Sequence, residues 1–246
     1  MPNPTAAMLV IGDEILSGRT RDSNMHHLAQ RLTEHGIRLT EARVVADEHA
    51  AIIAAVNDLR ARYDHVFTSG GIGPTHDDIT ADAIAAAFGV PITHRADAMA
   101  LLAAHYDRAG LPFNEARQRM ARIPDGATLI DNPVSIAPGF TLGNVHVMAG
   151  VPNIFQAMVA SVIPTLTGGA PLLSQSFRVN RGEGEIATDF ATLAADFPEV
   201  AARCEARARF MREVIGMDVP DTLLPLADTC GIIAPWLLDP AQVMVV

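Results

Sequence analysis

The stretch TSGGIGPTHDDIT, Thr68 to Thr80, decides which fold the sequence predicts. It follows a short apolar strand pattern and precedes a helical pattern, TADAIAAAFG, that ends at Gly89. Successive glycines let backbone N–H groups converge on one point, and the start of the next helix adds partial positive charge. The stretch therefore predicts a phosphate-binding loop between a strand and a helix. On the loop alone, a plain strand-to-helix turn capped by Thr80 stays an equal alternative.

The side chains of this stretch suggest a more specific ligand than phosphate. We predict contacts from the strand end and the glycines, and hydroxyl donors from two threonines; these residues are Ser69, Gly70, Gly71, Gly73, Thr75 and Thr80. Asp78 would repel phosphate, so it suits a ribose hydroxyl, a pterin N–H or a divalent metal that bridges to phosphate. His76 could contact a phosphate or a metal, but a solvent-facing loop position is favoured, because no second histidine lies at ligand spacing.

Composition excludes several classes of protein. The chain has 246 residues, a formal net charge of −10 and 18 basic residues, all of them arginine. Without lysine there is no Walker-type phosphate loop, no Schiff-base enzyme and no protein kinase. The acidic balance argues against a nucleic-acid partner. Apolar runs are too short for a membrane helix and the N-terminus lacks a signal-peptide pattern, so we expect no membrane partner and a cytoplasmic location.

Strand and helix patterns alternate along the first two thirds of the chain. A buried strand is predicted at Ala6–Ile11 and further strands at IRLTEARVV, at His65–Thr68 and at Asn144–Gly150, with helices between them. This alternation predicts an α/β fold with a mostly parallel sheet. Ligands of such sheets bind beyond the carboxyl ends of the strands, so the turns that follow these strands should face one site.

Other segments contribute candidate ligand-binding residues to the same edge. They are Gly12, Asp13, Glu14, Asp22 and Asn24 in IGDEILSGRTRDSN, Asp47 after the second strand, Pro138 and Gly139 in APGF, and Gly150 in MAGVP. Taken singly, Asp22 and Asp47 are better explained as helix caps. Their shared position at the ends of the strands favours the functional interpretation.

Four ordered motifs, IGDEILSGRTRDSN, SGGIGPTHDDIT, APGF and MAGVP, resemble the MoaB/Mog (molybdopterin-binding) domain family. Within it they look closest to the amino-terminal domain of competence/damage-inducible protein A, the CinA-like branch. The resemblance covers about Ala6 to Leu166. It implies a three-layer α/β/α domain over residues 1–168 and a small C-terminal α+β unit over 169–246, KH-like at its start and divergent after about 200. It also implies a homo-oligomer, a dimer or trimer.

The resemblance implies a chemistry as well. In CinA-like relatives this site is associated with a metal-dependent pyrophosphatase that acts on ADP-ribose, and a related domain resembles an FAD hydrolase. In Mog-type adenylyltransferases an aspartate in the glycine loop and a second one after the preceding strand serve pterin adenylylation with magnesium, and those positions match Asp78 and Asp47 here. The resemblance thus implies Asp78 and Asp47 as the catalytic and metal-binding residues, with Mg²⁺, Co²⁺ or Mn²⁺ as the ion. Two alternatives stay open: an adenylyltransferase that binds molybdopterin, and a non-catalytic module that binds a nucleotide or a pterin.

Overall fold

The computed structural model describes residues 3–170, and a six-stranded sheet lies at their centre. Eight strands occur in this range: β1 (Thr5–Ile11), β2 (Arg38–Val45), β3 (His65–Ser69), β4 (Ile92–His94), β5 (Arg122–Pro124), β6 (Thr128–Ile130), β7 (Gly139–Leu142) and β8 (Val145–Met148). The order in the large sheet is β2-β1-β3-β8-β7-β6, while β4 and β5 form a separate antiparallel pair. The sequence-predicted α/β fold is confirmed.

The register of the large sheet brings four chain segments to one edge. The pairs β1–β2, β1–β3 and β3–β8 are parallel, whereas β7 is antiparallel to both β6 and β8. Ile11 lies opposite Val45, and Ser69 lies opposite Met148. The loops that follow β1, β2, β3 and β8 therefore leave the sheet side by side.

Helices cover both faces of this sheet. The α-helices in residues 3–170 are α1 (Asp13–Leu16), α2 (Asn24–Glu34), α3 (His49–Arg62), α4 (Thr80–Phe88), α5 (Ala96–Arg108), α6 (Glu115–Gln118) and α7 (Pro152–Val162). Short 3₁₀ turns follow α6 and α7, at Arg119–Ala121 and Ile163–Thr165.

The alternation of side chains along β1 separates two apolar cores. Met8 packs with Leu28 of α2 and Phe155 of α7 on one face, whereas Leu9 packs with the helices on the other face, mainly α3, α4 and α5. Successive residues of a strand point to opposite faces, so one strand serves both cores. Each fully buried leucine or methionine contributes about 1.5–3 kcal/mol. The result is the predicted α/β/α layering.

The predicted domain boundary at residue 168 and the unit over 169–246 stay predictions, because all but the first two residues of that unit lie outside the described range. None of the helices in residues 3–170 is long and apolar enough to cross a bilayer.

Candidate functional site

An open cleft of about 540 Å³ lies at the carboxyl edge of the parallel strands. This volume is in the range of small-molecule sites, and the position is the usual one for ligands of open α/β sheets. Predicted site residues that line the cleft are Glu14, Asp47, Gly70, Gly71, Gly73, Asp78 and Gly150. Among the described residues, none of the side chains that line it is basic.

Two glycines in the loop after β3 are required by the local geometry. Gly70 has φ +111° and Gly71 has φ +69°, a conformation that side chains with a Cβ rarely adopt. A Cβ on Gly70 would overlap the carbonyl oxygen of Ile11, and a Cβ on Gly71 would overlap the hydroxyl oxygen of Thr80. The loop can therefore pass close to the end of β1 and the start of α4 only with glycine at both positions.

The same loop contains backbone donors without a partner in the described residues. The N–H of Gly70 donates to the carbonyl of Met148, so it is already used. The N–H groups of Gly71, Ile72 and Gly73 have no acceptor among residues 3–170, and all three residues line the cleft. Consecutive backbone N–H groups without a partner are a typical binding site for an anion.

Asp78 is held by Thr75 at the end of this loop. Its Oδ2 accepts hydrogen bonds from the backbone N–H of Thr75 at 2.8 Å and from the Thr75 hydroxyl. We predicted that this hydroxyl donates to a ligand, but here it orients Asp78 instead. Asp78 is half-buried at the edge of the cleft, whereas Thr75 and His76 are exposed.

Asp47 lies in an acidic wall of the same cleft. Its Oδ2 accepts the backbone N–H of Asp13 at 2.9 Å. Burial raises the pKa of Asp47; the N–H of Asp13 opposes this, and the negative charges of Asp13, Glu14 and Asp77 raise the pKa further. Like charges are therefore crowded around Asp47 without a basic side chain in the lining.

The structure brings Asp47 and Asp78 to one cleft but does not gather a larger ligand set. Within residues 3–170 there is no group of three or more His, Cys, Asp or Glu side chains arranged to hold a metal ion. A divalent ion at this site would need further ligands from substrate or water.

Three of the predicted ligand-binding side chains are buried parts of the scaffold. Asn24 is 3% exposed, and its Nδ2 donates to the Ser69 hydroxyl and to the Gly150 carbonyl, both at 2.8 Å. It thereby joins α2 to the loops after β3 and β8. Thr80 is fully buried, and its hydroxyl has no partner among the described residues. Burial keeps Asn24, Ser69 and Thr80 away from a ligand in the cleft.

The remaining predicted residues lie around the cleft rather than in its lining. The N–H of Gly12 donates to the carbonyl of Val45, and Asp22 accepts the N–H of Met25 at the start of α2, as expected of a helix cap. Gly139 belongs to β7 and is buried, as is Pro138, which lines a small niche beside the cleft.

Two residues of the site, Asn132 and Arg119, were not predicted from the sequence. Asn132, 2% exposed, lines the cleft and holds the loop before β7: Nδ2 donates to the Ser135 hydroxyl and the Ala137 carbonyl, and Oδ1 accepts the N–H groups of Val134 and Ser135. The niche contains Arg119. The only signal for Asn132 is its place in the irregular DNPVSIAPGF segment, and Arg119 lies in what reads as an ordinary helix.

Comparisons with known proteins agree with this architecture. Residues 7–168 match a protein family described as "probable molybdopterin binding domain". A CinA-like protein of Citrifermentans bemidjiense is 39% identical over 167 residues, which are 66% of this chain and 40% of that protein. A protein of Caldivirga maquilingensis is 30% identical over 234 residues, covering 86% of this chain and 91% of that one.

One solved structure is similar in both sequence and fold. The crystal structure of the protein CinA, with unknown function, from Thermoplasma acidophilum has 31% sequence identity and a TM-score of 0.61. The match covers 67% of this chain and 99% of that chain. By contrast, this chain matches less than half the length of the CinA-like protein of C. bemidjiense.

Proposed function

This chain belongs to the family of probable molybdopterin binding domains, the MoaB/Mog family, and from that premise we propose that it is a metal-dependent nucleotide pyrophosphatase acting on ADP-ribose or an FAD-type dinucleotide. One observation carries the proposal. Gly71, Ile72 and Gly73, whose N–H groups have no acceptor among the described residues, line the same cleft as Asp47 and Asp78. Donors for a pyrophosphate and carboxylates for a cation thus share one site.

The reaction is hydrolysis of the phosphoanhydride. The oxygen of water forms a bond to one phosphorus while the bond from that phosphorus to the bridging oxygen breaks, and the proton that the water loses passes to solvent. The bridging oxygen leaves with the electron pair on the second phosphate, and ADP-ribose gives AMP and ribose 5-phosphate. The N–H groups of the glycine loop bind non-bridging oxygens, so they orient the pyrophosphate and stabilise its growing negative charge. Thr75 keeps Asp78 oriented towards the cleft edge.

The donor set fits a hard divalent cation. Asp47 and Asp78 would hold the ion through carboxylate oxygens, and Mg²⁺ commonly uses only one or two carboxylates, completing its shell with water and substrate phosphate. When bound, the ion would polarise a phosphoryl oxygen and lower the pKa of water. The crowding of Asp13, Glu14 and Asp77 around Asp47 supports this assignment, because a cation would relieve their repulsion.

A second candidate is molybdopterin binding, with adenylyl transfer as its catalytic form. The family match favours it, and carboxylates such as Asp78 also suit the N–H groups of a pterin. A third candidate is a module that binds a nucleotide or pterin without converting it. It is favoured by the lack of three clustered metal-ligating side chains within residues 3–170.

Product analysis separates these candidates. Purified protein is incubated with ADP-ribose, with FAD, and with ATP plus molybdopterin, each with Mg²⁺, Co²⁺, Mn²⁺ or a chelator, and the products are separated by chromatography. AMP formed only with a divalent ion supports the pyrophosphatase. Adenylylated pterin supports the second candidate, and unchanged ligands that still bind by calorimetry support the third.

A further inference from the structure

A small niche adjoins the cleft on the side of the glycine loop. It has a volume of about 20 Å³ and lies between this loop, the start of α4 and the segment from Arg119 to Ile123. Four residues, Ile72, Gly73, Asp78 and Met120, line both the niche and the cleft. A group bound in the cleft against the glycine loop is therefore next to the niche.

Two arginines line the niche, and their environments differ. Arg122 forms a bidentate pair with Asp82, with hydrogen bonds of 2.8 and 2.5 Å. Arg119 forms no ion pair with a carboxylate among the described residues. Its single hydrogen bond there is a long one, 3.4 Å from Nη2 to the carbonyl oxygen of Asp78, and its Nε is buried without an acceptor.

A guanidinium without a carboxylate partner at this position favours binding of an anion. Arginine carries five N–H donors and is always charged, and a buried donor without an acceptor is costly. The chain has no lysine, and no basic side chain in the described residues lines the cleft itself. Arg119 is thus the lining arginine that a ligand can engage without breaking an existing carboxylate pair.

The size of the niche fixes what it accepts. A volume of about 20 Å³ holds one water-sized atom, which is too little for a phosphate group but enough for one of its oxygens. Resting on the function proposed above, we propose that Arg119 binds a phosphoryl oxygen of the substrate pyrophosphate through this niche, while the N–H groups of the glycine loop hold the same phosphate from the cleft. Arg119 then supplies the cationic contact that lysine supplies in other phosphate sites.

Binding of inorganic pyrophosphate tests this assignment independently of catalysis. Calorimetric titrations at low ionic strength, with and without Mg²⁺, compare wild type, Arg119→Gln, Arg119→Lys and Arg108→Gln. Arg108 is an exposed arginine in the last turn of α5 that lines neither cavity, so its variant removes the same charge elsewhere. We expect affinity to fall about tenfold to a hundredfold in Arg119→Gln, as for other charge-assisted hydrogen bonds.

The conservative variant and the control make the outcome decisive. Arg119→Lys should keep part of the affinity, because it keeps the charge but loses the planar fork, and Arg108→Gln should bind as wild type does. Equal affinity of wild type and Arg119→Gln would overturn the proposal. So would an equal loss in Arg108→Gln, since the effect would then be one of net charge. Thermal melting of each variant identifies any loss that comes from unfolding.

Turnover distinguishes failure of this inference from failure of the proposed function. If ADP-ribose is hydrolysed, Arg119→Gln should raise KM more than it lowers kcat, and an unchanged KM overturns the role of Arg119 alone. If no variant hydrolyses ADP-ribose but pyrophosphate binding still depends on Arg119, the pyrophosphatase assignment fails and the phosphate contact stands.

Discussion

Replacing Gly71 by alanine is the most direct perturbation of the glycine loop. Gly71 has φ +69°, and a Cβ there would overlap the Thr80 hydroxyl oxygen and lie 3.1 Å from the Thr80 Cβ. Two penalties follow. The left-handed conformation costs an L-residue about 1–2 kcal/mol. Inserting a methyl group into packed surroundings adds about 1–3 kcal/mol. Gly71→Ala should therefore lower the free energy of unfolding by about 2–5 kcal/mol.

The largest part of the second penalty, the overlap with the Thr80 hydroxyl, can be removed separately. Thr80→Ala deletes the hydroxyl that the new Cβ meets, and this hydroxyl has no hydrogen-bond partner in the described residues. In the Thr80→Ala background the overlap with the hydroxyl is absent but the 3.1 Å contact with the Cβ of residue 80 remains, so Gly71→Ala should cost less than in wild type and at least the conformational term of about 1–2 kcal/mol. The double-mutant cycle should show a favourable coupling between the two substitutions of at most about 3 kcal/mol, the upper end of the packing penalty.

Urea unfolding of the four proteins, wild type, both single variants and the double variant, measures this coupling. The chain must first show a single cooperative transition, and the slopes must agree among variants. Equal costs of Gly71→Ala in both backgrounds would refute the argument that the loop packs against Thr80. A cost near zero in wild type would refute the left-handed conformation of Gly71 itself.

Two further predictions concern pH and charge. Burial, with a smaller effect of the His65 charge, lowers the pKa of His146 to about 3. The unfolded chain takes up the proton more readily than the folded chain does. The free energy of unfolding therefore decreases as pH falls below about 6.5, by about 2 kcal/mol between pH 7.5 and 5. His146→Gln should flatten this dependence in urea titrations at several pH values, and an unchanged slope would contradict it. Asp47→Asn should raise the melting temperature at pH 7 but not at pH 3. Burial raises the pKa of Asp47, so the ionised carboxylate destabilises the folded protein at pH 7. At pH 3 the carboxyl is protonated and this destabilisation is absent. An amide oxygen can still accept the N–H of Asp13, so a lower melting temperature at pH 7 would show that the carboxylate stabilises the fold.

The parts of the fold that the sequence predicts are those with a strong periodic pattern. The run that became β1 is apolar and ends before Gly12, β2 contains β-forming residues and is followed by Asp47, and β3 ends before Gly70. The pattern of Ala96–Arg108 predicts α5 with its observed bounds. The pattern of Glu115–Ala121 predicts one helix, whereas α6 ends at Gln118 and a 3₁₀ turn follows.

Short strands escape such reasoning. β4, β5 and β6 have three residues each and β7 has four, so none contains enough residues to show alternation. The pairing of β4 with β5 also joins segments that are distant in sequence, with α5 and α6 between them along the chain. The β4–β5 pair is thus a tertiary feature that no local pattern indicates, whereas β7 and β8 are neighbours in sequence and form a hairpin through Gly143 and Asn144.

The candidate site is likewise predictable only in part. Its position is predictable, because parallel strands end at one edge and glycines mark the loops there. The role of each polar side chain cannot be predicted from the sequence, because it depends on whether that side chain is buried in the folded protein. Asn24 and Thr80 are polar residues in the right motifs, yet both are buried, and Asn24 joins the loops instead of reaching the cleft. Arg119 arrives from a helical segment without any motif, through the 3₁₀ turn that follows α6.

The predicted homo-oligomer is a separate question that light scattering of the purified protein answers.

Turnover of Asp78→Asn tests the central claim most directly. ADP-ribose hydrolysis with a divalent ion is compared in wild type, in Asp78→Asn and in Asp107→Asn, an exposed carboxylate of α5 that lines neither cavity. Asparagine can still accept the N–H of Thr75, so the loop should stay folded, and melting curves verify this. We predict metal-dependent AMP release by wild type and Asp107→Asn, and release by Asp78→Asn no faster than without protein. Full turnover by a folded Asp78→Asn variant would contradict the assignment of this cleft as a metal-dependent pyrophosphatase site.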